Sequence, residues 1–165
     1  MKAKLLIPFL LLLAACTSEK PMTDEQKAAV KEEGSAVVQE FFDAIKTNNA
    51  DKMFDMMENS PDYIYIASGD ILSLDQMKEM AAQYAPYFDR QTFLTKFEKY
   101  VIINPSCFIY IWQGDNGAYM KSGDSTILYD YLMTYTFRKD EGKWKVFFGQ
   151  ETAKAPLPID TANLQ

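Results

Sequence analysis

"DEGKWKVFFGQET", Asp140 to Thr152, reads as a hairpin turn that launches a strand apolar on both faces. On strict alternation Trp144, Val146 and Phe148 point one way, while Phe147 points the other way beside Lys145. A strand with one wet face alternates apolar with polar residues, so both sides of this one need cover. Its partner across Asp140-Glu141-Gly142 is the strand Thr126 to Lys139. Further upstream, Thr92 to Ile103 turns at Asn104-Pro105-Ser106 and returns as Cys107 to Gln113, and Gly114 to Ser125 reads as a glycine-bearing loop. The second half of the chain is therefore antiparallel sheet.

The first half is mostly helical. Thr23-Asp24-Glu25-Gln26 is a capping box, in which threonine and glutamine satisfy reciprocal backbone donors. Val30, Val37, Val38, Phe41, Phe42 and Ile45 follow as one apolar stripe, and Gly34 leaves open one helix or two. Ala50 to Glu58 is a short helix whose Met53, Phe54, Met56 and Met57 read as core. The period then switches to two: Tyr63 to Ala67 is a strand, Gly69-Asp70 its turn and Ile71-Leu72 the return. Ser73-Leu74-Asp75-Gln76 is a second capping box, opening a helix through Met77, Met80, Ala81 and Tyr84 that Pro86 stops.

With 165 residues, 48% of them hydrophobic, the chain holds one domain with a sizeable core. A formal net charge of −6 argues against nucleic acid as a partner. There is no histidine, which removes imidazole bases, His-based triads and most zinc sites. No metal and no cofactor is expected.

Lys2 and Lys4 precede an apolar run, Leu5 to Leu13, of signal-peptide length and too short to span a bilayer. Leu13-Ala14-Ala15-Cys16 resembles the bacterial lipoprotein lipobox, which implies cleavage before Cys16, lipidation of Cys16 and a membrane anchor. The expected division is a signal peptide at 1–15, a tether at 16–22, a folded domain at 23–153 and a loose tail at 154–165. Thr17 after the cysteine implies outer-membrane sorting in the cell envelope. Cys107 is the one other cysteine, so no intrachain disulfide is available.

Helices, a short hairpin, a capping helix and then long strands resemble the nuclear transport factor 2-like superfamily, and within it the SnoaL-like branch. "VVQEFFDAIKTNNADKM" (Val37 to Met53), "SGDIL" (Ser68 to Leu72), "INPSCFIYIW" (Ile103 to Trp112) and "GKWKVFFGQET" carry the likeness by their order and spacing. The resemblance implies an α+β cone, a strongly curved antiparallel sheet wrapped around N-terminal helices, often with a ligand pocket between them. It also implies that Trp144 packs near the closed end of the sheet. The inherited catalytic sets are missing. The steroid-isomerase-like tyrosine falls on Phe41, the strand Tyr63 to Ala67 has no carboxylate, and the dehydratase-like branch needs histidine.

Tyr129, Tyr131, Met133, Tyr135 and Phe137 share one face of their strand and look onto the helices. Ligand contacts are expected from Tyr65, Tyr110, Trp112, Tyr131, Tyr135, Phe148 and Gln150, and with no charged group among them the ligand should be neutral or weakly polar. The opposite face, with Cys107, Ile109, Ile111, Leu128, Leu132 and Phe147, is apolar enough to suggest a sheet-to-sheet homodimer. Asp130 is an odd mid-strand carboxylate, either a weak acid–base candidate or a convex-face residue bonded to Lys145 or water. Three readings stand: a lipid-anchored binding module, a cyclase- or isomerase-type enzyme using a carboxylate with tyrosine hydroxyls, and a dimeric interaction module with a filled core.

Overall fold

The computed structural model describes residues 21–153. The signal peptide, Cys16 and most of the tether, together with the 154–165 tail, lie outside them. Helix α1 (Asp24–Lys46) is continuous, with the Thr23–Gln26 capping box formed in both directions. Gly34 is not a break but a close approach: a Cβ there would lie 3.0 Å from the Phe108 ring. The missing side chain lets the helix press onto the sheet. A short α2 (Ala50–Asp55), the hairpin strands β1 (Ile64–Ala67) and β2 (Asp70–Leu72), and α3 (Leu74–Tyr84) follow. Ser73 and Gln76 cap α3 reciprocally.

Strands β3 (Phe88–Asn104), β4 (Cys107–Met120), β5 (Ser125–Asp140) and β6 (Lys143–Thr152) complete one sheet of order β2-β1-β6-β5-β4-β3. The fold is α+β as expected, with two corrections. The sheet is mixed, because β1 runs parallel to β6. The expected loop from Gly114 is mostly strand: β4 continues to Met120 and pairs with β3 back to Phe88. Glu141 and Gly142 both have positive φ, at 47° and 79°. That is the signature of the tight hairpin turn whose twist matches its strands.

The apolar doubling of β6 has a structural cause. Val146 bridges the segment after α2, accepting from Glu58 N–H and donating to the Met56 carbonyl, before the strand moves over to β1. The change of partner needs an extra residue, and the β5–β6 register slips between Phe137↔Val146 and Thr136↔Phe148. Past Phe147 the parity is inverted. Val146, Gly149 and Glu151 face inward, while Phe148 and Gln150 share the outer face with Thr136 and Thr134. A second bulge, Tyr129-Asp130 opposite Asp115, inverts β5 in the same way. Asp130 takes φ 51°, a left-handed conformation that Asp tolerates better than most residues.

Consequently Tyr129 leaves the inner face and is 64% exposed, whereas Leu128, expected outside, packs on the core. The core between α1 and the sheet is aromatic. Phe41 is fully buried, edge-on to Tyr135 at 5.1 Å and to Phe137 at 6.0 Å, and Phe137 stacks on Phe108 at 4.9 Å.

Trp144 closes the β5–β6 end of this core. Its ring meets Phe108 edge-on at 4.9 Å and its Nε1–H donates to Glu33 on α1 at 3.0 Å. Because the ring is only half-buried, Trp144→Ala should cost about 2 kcal/mol, below the range for a fully buried tryptophan. Urea unfolding would measure that cost, and Trp144 is not among the residues that line the cavity described next.

Candidate functional site

The cone is hollow. A cavity of about 430 Å³ lies between the C-terminal half of α1, α2, α3 and the sheet. Phe41 and Ala44 come from α1, Met53 and Phe54 from α2, and Met77, Met80, Ala81 and Tyr84 from α3. The methionines read as plain core thus split: Met53 and the buried Met57 give the cavity a flexible apolar wall, while Met56 packs on the core outside the lining. Asn48, in a left-handed conformation after α1, donates its side-chain amide to the carbonyls of Ala85 (3.1 Å) and Phe88 (3.3 Å). That ties the rim formed by α3 and β3 to the end of α1.

The sheet side carries the polar chemistry. Tyr65 on β1, Tyr131 and Tyr135 on β5 and Glu151 on β6 all line the cavity. The Tyr65 hydroxyl donates to Glu151 Oε2 at 2.6 Å, and Tyr131 lines the same wall beside that carboxylate. Gly149 makes this possible: a Cβ there would sit 2.5 Å from the Tyr65 ring, so only glycine lets the tyrosine lie across β6. Burial first, then neighbouring charge or hydroxyls, pushes the hydroxyls of Tyr65, Tyr131 and Tyr135 well above the usual tyrosine range. They therefore stay protonated and act as donors. Asn116, 5% exposed, directs its amide nitrogen to Gln91 Oε1 (3.2 Å) and the Thr92 carbonyl (3.4 Å).

Of the seven expected contacts, Tyr65, Tyr131 and Tyr135 line this cavity. Tyr110 and Trp112 are inward-facing but belong to a separate polar cleft of about 180 Å³ beside the α1 stripe. There Tyr110 donates to Glu98 at 3.0 Å and Trp112 Nε1 to Thr95 Oγ1 at 2.8 Å. Phe148 and Gln150 are corrected to the outer face by the Phe147 bulge. The same slip brings in Glu151, which alternation had pointed away. The expectation of a wall without charged groups therefore fails on one residue, Glu151. The Phe147-Phe148 pair followed by glycine is the sequence signal that could have announced the slip.

Asp130 is no acid–base group of the cavity. It sits outside the lining, and its partner is Lys96 Nζ at 2.9 Å, which also holds Asp115 at 2.6 Å. The Asp130 backbone N–H donates to Asp115 as well, at 3.1 Å, so the three side chains clip the β5 bulge to β3 and β4. Lys145 instead reaches the Asp55 carbonyl. On the outer face Ile109, Ile111 and Phe147 are half-buried and Leu132 is 41% exposed, and the Arg138 guanidinium lies 3.8 Å from the Phe147 ring centre. No cluster of three or more metal-ligating side chains occurs among the described residues. No helix among them is long and apolar enough to cross a membrane.

The family model described as a SnoaL-like domain matches residues 35–150. Solved structures share the fold at low identity. A nuclear transport factor 2-like superfamily protein from Salmonella enterica serovar Typhimurium superposes with a TM-score of 0.67 at 11% identity, covering 81% of this chain and 97% of its own. The association domain of CaMKII from C. elegans gives 0.62 at 13%, covering 79% and 100%. A hexachlorocyclohexane dehydrochlorinase from Novosphingobium barchaimii gives 0.59 at 9%, covering 80% and 91%. At such identities these neighbours speak for the fold alone. No curated protein matches the sequence.

Proposed function

The chain belongs to the SnoaL-like domain family of the nuclear transport factor 2-like superfamily, and from that premise we propose that it is a lipid-anchored binding protein of the bacterial cell envelope whose cone takes up one small, largely apolar molecule. The cavity carries this reading. Its volume of about 430 Å³ falls within the range of small-molecule sites, roughly 300–1,000 Å³, and its lining is apolar with a few convergent polar groups. A filled-core interaction module would not need such a void. The lipobox-like Leu13-Ala14-Ala15-Cys16 supports the anchor, with Cys16 the lipidated residue and an outer-membrane site favoured by Thr17. The apolar outer sheet face around Ile109, Ile111, Leu132 and Phe147 supports a homodimer.

A second reading rests on the 2.6 Å contact between the Tyr65 hydroxyl and Glu151. A carboxylate with two protonated hydroxyls is a proton-transfer set, so an isomerase- or cyclase-type enzyme would use Glu151 as base and Tyr65 or Tyr131 as donor.

Native mass spectrometry of the full chain extracted from membranes in mild detergent tests the main reading. Expected are acyl mass on the Cys16 end, one small molecule per chain, and dimers. A protein of unmodified mass that releases nothing, and binds none of a panel of hydrophobic fluorophores saturably, would overturn it.

A further inference from the structure

We infer that the cavity selects an organic ammonium ion, an amine carried on an apolar skeleton, with its cationic head against Glu151 and the rings of Tyr65, Tyr131 and Tyr135. The inference rests on the cavity being a ligand site and names the chemical class of the ligand. Among the described residues that line the cavity, Glu151 is the one charged side chain, and none is basic. Nor does Glu151 form an ion pair elsewhere among the described residues, whereas Glu58, Asp115 and Glu33 each have a lysine or arginine. Glu151 is half-buried on an apolar wall, and a carboxylate that has lost part of its water gains from a cationic partner.

One oxygen of the Glu151 carboxylate accepts from the Tyr65 hydroxyl, and a carboxylate offers about four acceptor sites in all. The Tyr65 hydroxyl is committed as a donor to Glu151, and the Asn116 amide nitrogen is committed to Gln91 and Thr92. Around the carboxylate the wall accepts hydrogen bonds more than it gives them. Neutral amides of Gln91 and Asn49 lie elsewhere in the lining, and nothing there would balance an anion. The tyrosine rings add faces of negative potential, which attract a cation within about 6 Å of the ring centre. An ammonium supplies what this wall lacks: positive charge and spare N–H donors. The methionines and phenylalanines of α1, α2 and α3 then cover the apolar body.

The probe pair is 4-phenylbutylamine and 4-phenylbutan-1-ol, which share a skeleton and differ in the head. Calorimetric titration of the full-length protein in detergent should show the amine binding at least about tenfold tighter, as a charge-assisted contact in a partly desolvated site implies. In Glu151→Gln the ratio should fall to about one while the alcohol keeps its affinity. Methionine-methyl resonances give an independent location: Met53, Met77 and Met80 should shift with the amine in wild type, and they serve as the readout if Glu151→Gln fails to fold. Equal binding of the two probes, or tighter binding of the alcohol, overturns the ammonium inference and leaves the cavity reading intact. A tenfold preference that survives in folded Glu151→Gln also overturns it, as does amine binding that leaves the three methyl signals unmoved. If no probe of either kind binds saturably, the cavity reading falls first and the inference with it.

Discussion

Arg138→Ala should destabilise the domain by about 3 kcal/mol, lowering its thermal midpoint by roughly 6–12 °C. Glu58 is only 6% exposed, immediately after the turn that ends α2. The Arg138 guanidinium grips both its carboxylate oxygens, Nε to one and a terminal nitrogen to the other. Removing the arginine strands a buried carboxylate, and breaking such a pair typically costs about 3–5 kcal/mol. The low end applies because the Arg138 side chain is itself 41% exposed, so solvent screens that side. The arginine also covers the Phe147 ring, and its loss uncovers apolar surface. Arg138→Met with Glu58→Leu should recover most of the loss, because no charge is then left buried. Circular dichroism melts of the single and double variants check both results. The single variant melting like wild type would show that Glu58 finds water on its own.

What the sequence revealed and what it hid divide along a physical line. Both capping boxes, the Gly142 turn, the Pro86 stop and the turn at Pro105 are local, and each formed where the residues said. Two-residue parity does not run unbroken along β5 or β6. A bulge is set by the neighbouring strand's needs: β6 must leave the α2 segment for β1, and a long curved sheet must bend somewhere. Two slips moved Phe148 and Gln150 out, Glu151 in, Tyr129 out and Leu128 in. Before its bulge β6 is well described by alternation, so Trp144 and Val146 were placed correctly, as were Tyr131 and Tyr135 after the bulge in β5. Asp130 stood out in the sequence for the right reason, since a charged residue mid-strand marked an irregularity. It marks the β5 bulge, at φ 51°, and lies outside the cavity lining.

Ala81→Trp should weaken binding of 4-phenylbutylamine by roughly 100-fold or more while leaving the fold within about 1 kcal/mol of wild type. Ala81 sits on α3 with its side chain on the cavity, between Met77 and Met80 on one side and Tyr84 on the other. An indole there has empty space to enter, so it competes with ligand for volume without displacing packed atoms. Filling a cavity is often neutral or stabilising, which separates this variant from a truncation such as Phe41→Ala, where affinity and stability would fall together. The neighbouring Ala82 is exposed and outside the lining, so Ala82→Trp adds the same ring to the same helix and should change affinity little. Calorimetry on the two variants therefore distinguishes a ligand inside the cone from one on the outer sheet face. A loss confined to Ala81→Trp places the ligand among α1, α2, α3 and the tyrosines, whereas affinity unchanged in both would move it to the apolar strip around Ile109 and Leu132.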